Sequence, residues 1–285
     1  MQVMNSMPAM TNEILARMAP SIMAEHASPN VSHIYKQVRT LDVVDLMRDQ
    51  GWMPVQARQL AVRTADRREF CKHEIKFQRE NDTSLSAVGD ETLQAVLTNS
   101  HDRSSTFHFM LGVFRLACTN GMVVASGMFN EIRVRHVGFD PQQIRDVAMK
   151  MAEGGKLVGD HIGEMRNVLL EREEQLVLAK SSAQLLFDPD DMDSGKVDFD
   201  TSKLLGIRRM GDAGDNLWKV FNRIQENTTR GGLRYHRAEP GVVDGTVHTH
   251  KATTRQIKSI DRDIRLNQAL WTLAESMLRI KTKVA

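Results

Sequence analysis

The sequence predicts an α+β protein: an antiparallel sheet over about residues 55–138, packed with long helices from the C-terminal half. Three observations predict it. Between residues 51 and 138 apolar and polar residues alternate, β-branched residues recur, and turn residues punctuate the chain. From residue 141 onward the apolar residues recur at helical spacing instead. A chain of 285 residues, 41% hydrophobic and 26% charged, is long enough to bury a core and too apolar for general disorder.

Taken in order, residues 11–24 read as a helix with Ile14, Leu15, Met18 and Ile22 on one stripe and a kink at Pro20. Residues 40–50 form a second helix, capped by Thr40, with Leu41, Val44 and Met47 aligned. Strands are expected near 57–64, 73–79, 93–98, 106–111, 122–126 and 130–136. Phe107, Phe109 and Leu111 share one strand face. Ile132 and Val134 oppose Glu131, Arg133 and Arg135, so one face of the sheet is expected to be packed and the other wet.

Pro141 suits the first turn of a helix, and a long amphipathic pattern then runs to Phe187. Residues 188–202 are acidic and turn-rich; they lack the EF-hand ligand order and read as a solvated loop. A helix over 214–229 carries Leu217, Trp218, Phe221 and Ile224 and is stopped by Gly231-Gly232. Residues 233–254 read as a loop. A last helix, about 255–282, buries Ile260, Ile264, Trp271, Ala274 and Leu278. The organisation expected is an N-terminal helical segment (1–50), a sheet and long-helix core (51–187), an acidic linker (188–212) and a C-terminal helical region with a basic loop (213–285).

Cys71 and Cys118 show no disulfide or zinc spacing, so reduced thiols and a cytoplasmic location are expected. No apolar run reaches the roughly 18 residues of a membrane span, and no export signal is evident. P-loop, dinucleotide, HExxH and GxSxG signatures are absent. Accordingly no catalytic residue, cofactor or metal site is assigned.

Two polar motifs stand out. Asn99-Ser100-His101-Asp102 ends an expected strand; Asn, Ser and Asp are residues that bond nearby backbone in turns. The alternative is a histidine base with an orienting carboxylate, or two metal ligands completed by His108 or His136. Cys118-Thr119-Asn120-Gly121 sits between apolar stretches, and Asn-Gly there signals a hairpin. Basic residues concentrate outside these motifs. Residues 58–79 carry a surplus of four positive charges and residues 225–285 a surplus of five, although the whole chain is only +2. His248 and His250 form a candidate chelate in the second of these segments, although two histidines in a loop more often hold no metal.

The blocks DRREFCKH (66–73), TNSHDRSSTFHFMLGVFRLACTNGMVV (98–124), NLWKVFNRIQENTTRGGL (216–233) and TRQIKSIDRDIRLNQALWTLAE (254–275) carry a resemblance. Over about residues 40–280 the chain resembles the phage- and plasmid-borne proteins of domain-of-unknown-function family 932, and within it uncharacterised protein family 0380 of cryptic-prophage type. The resemblance implies a mobile-element setting and no reaction. Its pattern is matched at Asn99, Ser100, His101, Asp102, Cys118, Asn120, Gly121, Gln225, Glu226, Asn227, Gly231, Gly232, Asn267 and Trp271, among others. Arg103 stands where that pattern has a glycine, which puts a very tight turn after Asp102 in doubt.

The expected function is non-catalytic binding or annealing of single-stranded DNA in recombination, by a homo-oligomer. Arg63, Arg67, Arg68, Lys72, Arg133, Arg135 and Arg255 would contact phosphates. The alternatives are a metal-dependent nucleic-acid or nucleotide-processing enzyme using His101 and Asp102, and an anti-defence or host-modulating interaction protein.

Overall fold

The computed structural model describes residues 8–32, 35, 37–79, 91–115, 122–123, 132–134, 141–240 and 247–284. The chain divides into two compact units, Met1–Asp160 and His161–Ala285. It is an α+β protein with antiparallel sheets.

In the first unit the Thr11 hydroxyl accepts the Ile14 N–H and caps α1 (Asn12–Met18). Pro20 cannot continue the helical ladder, and the chain enters a separate 3-10 turn over Pro20–Met23. The expected kink is therefore a break. Helix α2 (Thr40–Asp49) buries Val43, Val44 and Met47. Its N-cap is Arg39 rather than Thr40, because Thr40 is already helical and its hydroxyl is used elsewhere.

The sheet comprises β1 (Trp52–Gln59), β2 (His73–Arg79), β3 (Glu91–Asn99), β4 (Phe107–Arg115), β5 (Met122–Val123) and β6 (Ile132–Val134). Neighbours run β1-β2-β3-β4-β5, and β6 also pairs with β4. β5 lies against Gly112 and Val113 and β6 against Phe107–Phe109, so the two short strands share one edge of β4. At the edge strand β1 the register slips between Pro54 and Gln56, where the proline has no N–H to donate. Helix α3 (Ala65–Arg68) lies in the connection between β1 and β2, and α4 (Pro141–Asn167) opens on its proline.

The expectation of one wet face fails in β2. His73, Ile75 and Phe77 face one way and Glu74, Lys76 and Gln78 the other, yet all six are buried. Glu74 tolerates burial because the Arg58 guanidinium donates to both its oxygens, at 2.8 and 2.9 Å.

In the second unit the helical pattern expected to run unbroken to Phe187 is interrupted. At the break Leu170 donates its N–H to Asp215, and Val168 accepts from Leu217. Helix α5 (Arg172–Ala183) then restarts, with the Glu174 carboxylate accepting the Glu171 N–H at 2.7 Å. The acidic segment holds α6 (Pro189–Asp193), β7 (Val197–Asp198) and a 3-10 turn over Thr201–Leu205. Helix α7 (Leu217–Arg230) is capped by Asn216, whose side-chain oxygen accepts the Lys219 N–H.

The expected loop over 233–254 is instead a hairpin, β8 (Arg234–Pro240) and β9 (Val247–Thr253), joined by β7 into a three-stranded antiparallel sheet. Both of its faces carry polar residues, so no apolar alternation announced it. Helix α8 (Ile260–Val284) buries every residue of its expected stripe. Trp218, Phe221 and Trp271 pack together, with Trp218–Phe221 centroids 5.7 Å and Phe221–Trp271 centroids 5.9 Å apart. No helix among the described residues is long and apolar enough to cross a membrane.

Candidate functional site

His73 opens β2, Asn99 ends β3 in register with it, and Thr40 starts α2 above them. Side chains from these elements and from the segment after Asn99 form one buried hydrogen-bonded network. The Thr40 hydroxyl lies 2.8 Å from His73 Nε2, 3.2 Å from His101 Nε2 and 3.0 Å from the Asn99 amide nitrogen. The two imidazoles stand 5.3 Å apart, centroid to centroid.

The partners fix the direction of every bond. The Gln37 amide nitrogen donates to the Ala24 carbonyl and, at 3.2 Å, to His101 Nδ1. His101 Nδ1 is therefore the acceptor, and Nε2–H donates to Thr40. Asn99 also donates to Thr40, so both lone pairs of that hydroxyl are taken and its proton goes to His73 Nε2. His73 Nδ1–H then donates to the Cys71 carbonyl and to the Ser21 hydroxyl, at 3.2 and 2.9 Å. Ser21 passes its proton to Gln59 Oε1, and the Gln59 amide ends the chain on the Arg68 carbonyl.

At His73 Nε2 the Thr40 hydroxyl has no lone pair left to accept a second proton. Burial first, and then the neighbouring His101, push the His73 pKa down to about 3, against the weaker pull of the Cys71 carbonyl. Cys71 is itself buried, and its thiol is pushed up chiefly by that burial. Tyr35 donates to the Ser100 carbonyl at 3.0 Å, and burial followed by the Asp102 charge raises its phenol to about 12.

The segment around His101 is a turn. The Ser100 hydroxyl donates to the Ser105 carbonyl and accepts the Ser105 N–H, while Asp102 accepts the Ser104 N–H at 2.9 Å. Arg103 adopts φ of 66°, the left-handed conformation a glycine takes freely. The tight turn that the glycine-to-arginine change put in doubt is thus present, with the arginine carrying the strain. Both ring nitrogens of His101 are engaged, and among the described residues no group of three or more His, Cys, Asp or Glu could hold a metal.

Of the phosphate-contact candidates, Arg63, Arg67 and Arg68 are exposed on the β1–β2 connection, and Arg67 makes a long 3.9 Å ion pair to Asp102. Lys72 is buried, which is unsuited to contact with a polymer in solvent. Arg133 takes part in β6 opposite His108, but nothing is described of its side chain. Arg135, Cys118, Asn120 and Gly121 lie outside the described residues. Arg255 is exposed in the second unit.

There Gly231 and Gly232 take φ of 65° and 82°, and a Cβ on Gly231 would stand 2.6 Å from the Arg255 carbonyl carbon. The Gln225 amide donates to Asn267 at 2.9 Å, and Glu226 is held by Arg209 and Arg230. The matched positions of the second unit thus lock the end of α7.

Sequence reasoning missed Thr40, His73, Ser21, Gln37 and Gln59 as partners of His101. The one available signal was His73 itself, a polar residue on the strand face otherwise formed by Ile75 and Phe77.

The model of the family described as Domain of unknown function (DUF932) matches residues 29–271. The chain is 33% identical to UPF0380 protein YfjQ and 32% identical to UPF0380 protein YafZ, both of Escherichia coli (strain K12). Each alignment covers 94% of this chain and 92% of the relative. No solved structure matches. The chain therefore belongs to the DUF932 family, in company with the UPF0380 proteins.

Proposed function

We propose that the chain is a non-catalytic DNA-binding protein of mobile genetic elements, acting in the cytoplasm on single-stranded DNA in recombination. One observation carries the reading: Arg63, Arg67 and Arg68 are exposed together on a connection whose backbone is pinned to the sheet. The pins are Leu60 N–H to the Lys72 carbonyl, Cys71 N–H to the Arg67 carbonyl, and Gln59 to the Arg68 carbonyl. Guanidinium groups on a fixed backbone suit phosphate oxygens, which they can engage in a bidentate fork.

Such contacts track charge and leave base identity unread. A homo-oligomer would repeat the arginine set along one strand. The reading supports binding over catalysis because His101 and His73 spend their ring nitrogens inside the fold.

The test is retention of a labelled oligonucleotide across a salt series, for the wild type and an Arg63→Glu/Arg67→Glu/Arg68→Glu variant. Each phosphate contact to a single strand contributes about 0.7 to the log–log salt slope, so losing three should lower it by about 2. A wild type that retains no oligonucleotide at micromolar protein and low salt would refute the reading.

A further inference from the structure

The face of the sheet opposite the histidine network holds a second arrangement. Lys76 occupies its centre on β2, in register with Gln56 of β1 and Val96 of β3. Gln94 and Thr98 flank Val96 on the same face of β3. Lys76 is 5% exposed, and Gln94 and Thr98 are 1% exposed each. The Lys76 ammonium has no hydrogen-bond or ion-pair partner among the described residues. The nearby carboxylate of Glu74 is already taken on both oxygens by Arg58. Gln94 Nε2, Thr98 Oγ1 and Gln56 Oε1 are buried atoms that make no hydrogen bond.

Interiors do not leave such groups idle without reason, and several on one face of the sheet call for a shared partner. The set is one cation, one amide donor, one hydroxyl and one amide acceptor. A carboxylate would use the donors and leave Gln56 unmet. A phosphate bearing one P–OH would accept from Lys76, Gln94 and Thr98 and donate to Gln56.

We propose that the sheet face around Lys76 is a binding site for a small phosphate-bearing ligand, either the free ion or a phosphomonoester. It is separate from the arginine-bearing connection and does not depend on it.

The experiment is calorimetric titration of the full chain with inorganic phosphate, thymidine 5′-monophosphate and thymidine, with chloride matching ionic strength. The wild type should bind phosphate at one saturable site, and Lys76→Met should weaken it at least tenfold. Gln94→Leu, which keeps the charge, should weaken it by a smaller factor and serves if Lys76→Met does not fold. The Arg63/Arg67/Arg68 variant should bind as the wild type does, so loss of oligonucleotide binding and loss of this site are separable.

Tighter binding of the monophosphate than of the free ion identifies a phosphomonoester, and equal binding identifies the ion; both support the site. No saturable binding of either by the wild type, or equal binding by a folded Lys76→Met variant, overturns it.

Discussion

The Thr40 hydroxyl donates to His73 Nε2 across 2.8 Å while accepting from His101 and Asn99, so all three of its hydrogen-bonding capacities are used. Thr40→Val keeps the shape and removes every one of them. Each buried group left unmet costs about 1–3 kcal/mol. The variant should lose roughly 3 kcal/mol or more in urea unfolding, with Thr40→Ser close to wild type. A Thr40→Val loss within experimental error would show that the network contributes nothing.

Stability should fall on acidification through the His73 titration. The unfolded histidine titrates near 6.5, and the folded one near 3. Between those values only the unfolded chain binds the proton. The stabilisation is therefore complete above about pH 6.5 and is lost as pH falls toward 3. At about 1.4 kcal/mol per pH unit, the effect amounts to a few kcal/mol. Urea midpoints at pH 7 and pH 4.5 check it, and a His73→Gln variant should show a flatter pH dependence. An imidazole resonance of His73 titrating near pH 6 would contradict the assignment.

Arg103→Gly should stabilise the protein by about 1 kcal/mol, since the left-handed backbone there penalises a side chain. Thermal unfolding reads the gain directly. A loss instead would mean that the exposed arginine side chain matters more than its backbone.

The adjacent glycines at the end of α7 should differ sharply. Gly231→Ala drives a Cβ to within 2.6–2.8 Å of the Thr254 and Arg255 backbone and should cost well over 2 kcal/mol. Gly232→Ala meets nothing within 4 Å and carries only the positive φ, about 1 kcal/mol. Equal effects in denaturant melts would place the strain elsewhere.

Much of the fold was legible because period and element agreed. Ile75 and Phe77 alternating with Glu74, Lys76 and Gln78 located β2 over the expected residues, and the Ile260–Leu278 stripe located α8. β1 starts earlier than expected because Pro54 and the register slip blur the alternation. The site was half legible. Asn99 and His101 announce themselves as a motif, but Thr40, Ser21, Gln37 and Gln59 are single polar residues on other segments. Only the fold tells which of many such residues meet. The burial of Lys76 could not be read at all, since an alternating lysine looks the same on a wet face and a covered one.

The β8–β9 hairpin raises a question of alignment. A strand pair with polar residues on both faces gains little from hydrophobic burial in one register over the next. Here the choice is made by anchors at its base. Tyr235 packs on Phe187 with centroids 4.9 Å apart, the Thr254 N–H donates to the Leu233 carbonyl while the Leu233 N–H donates to the Thr254 hydroxyl, and Arg237 reaches Asp191. The acidic segment that looked like a spacer thus holds β8 along its outer edge, while the Leu233–Thr254 pair at the base fixes which residue of β8 faces which of β9.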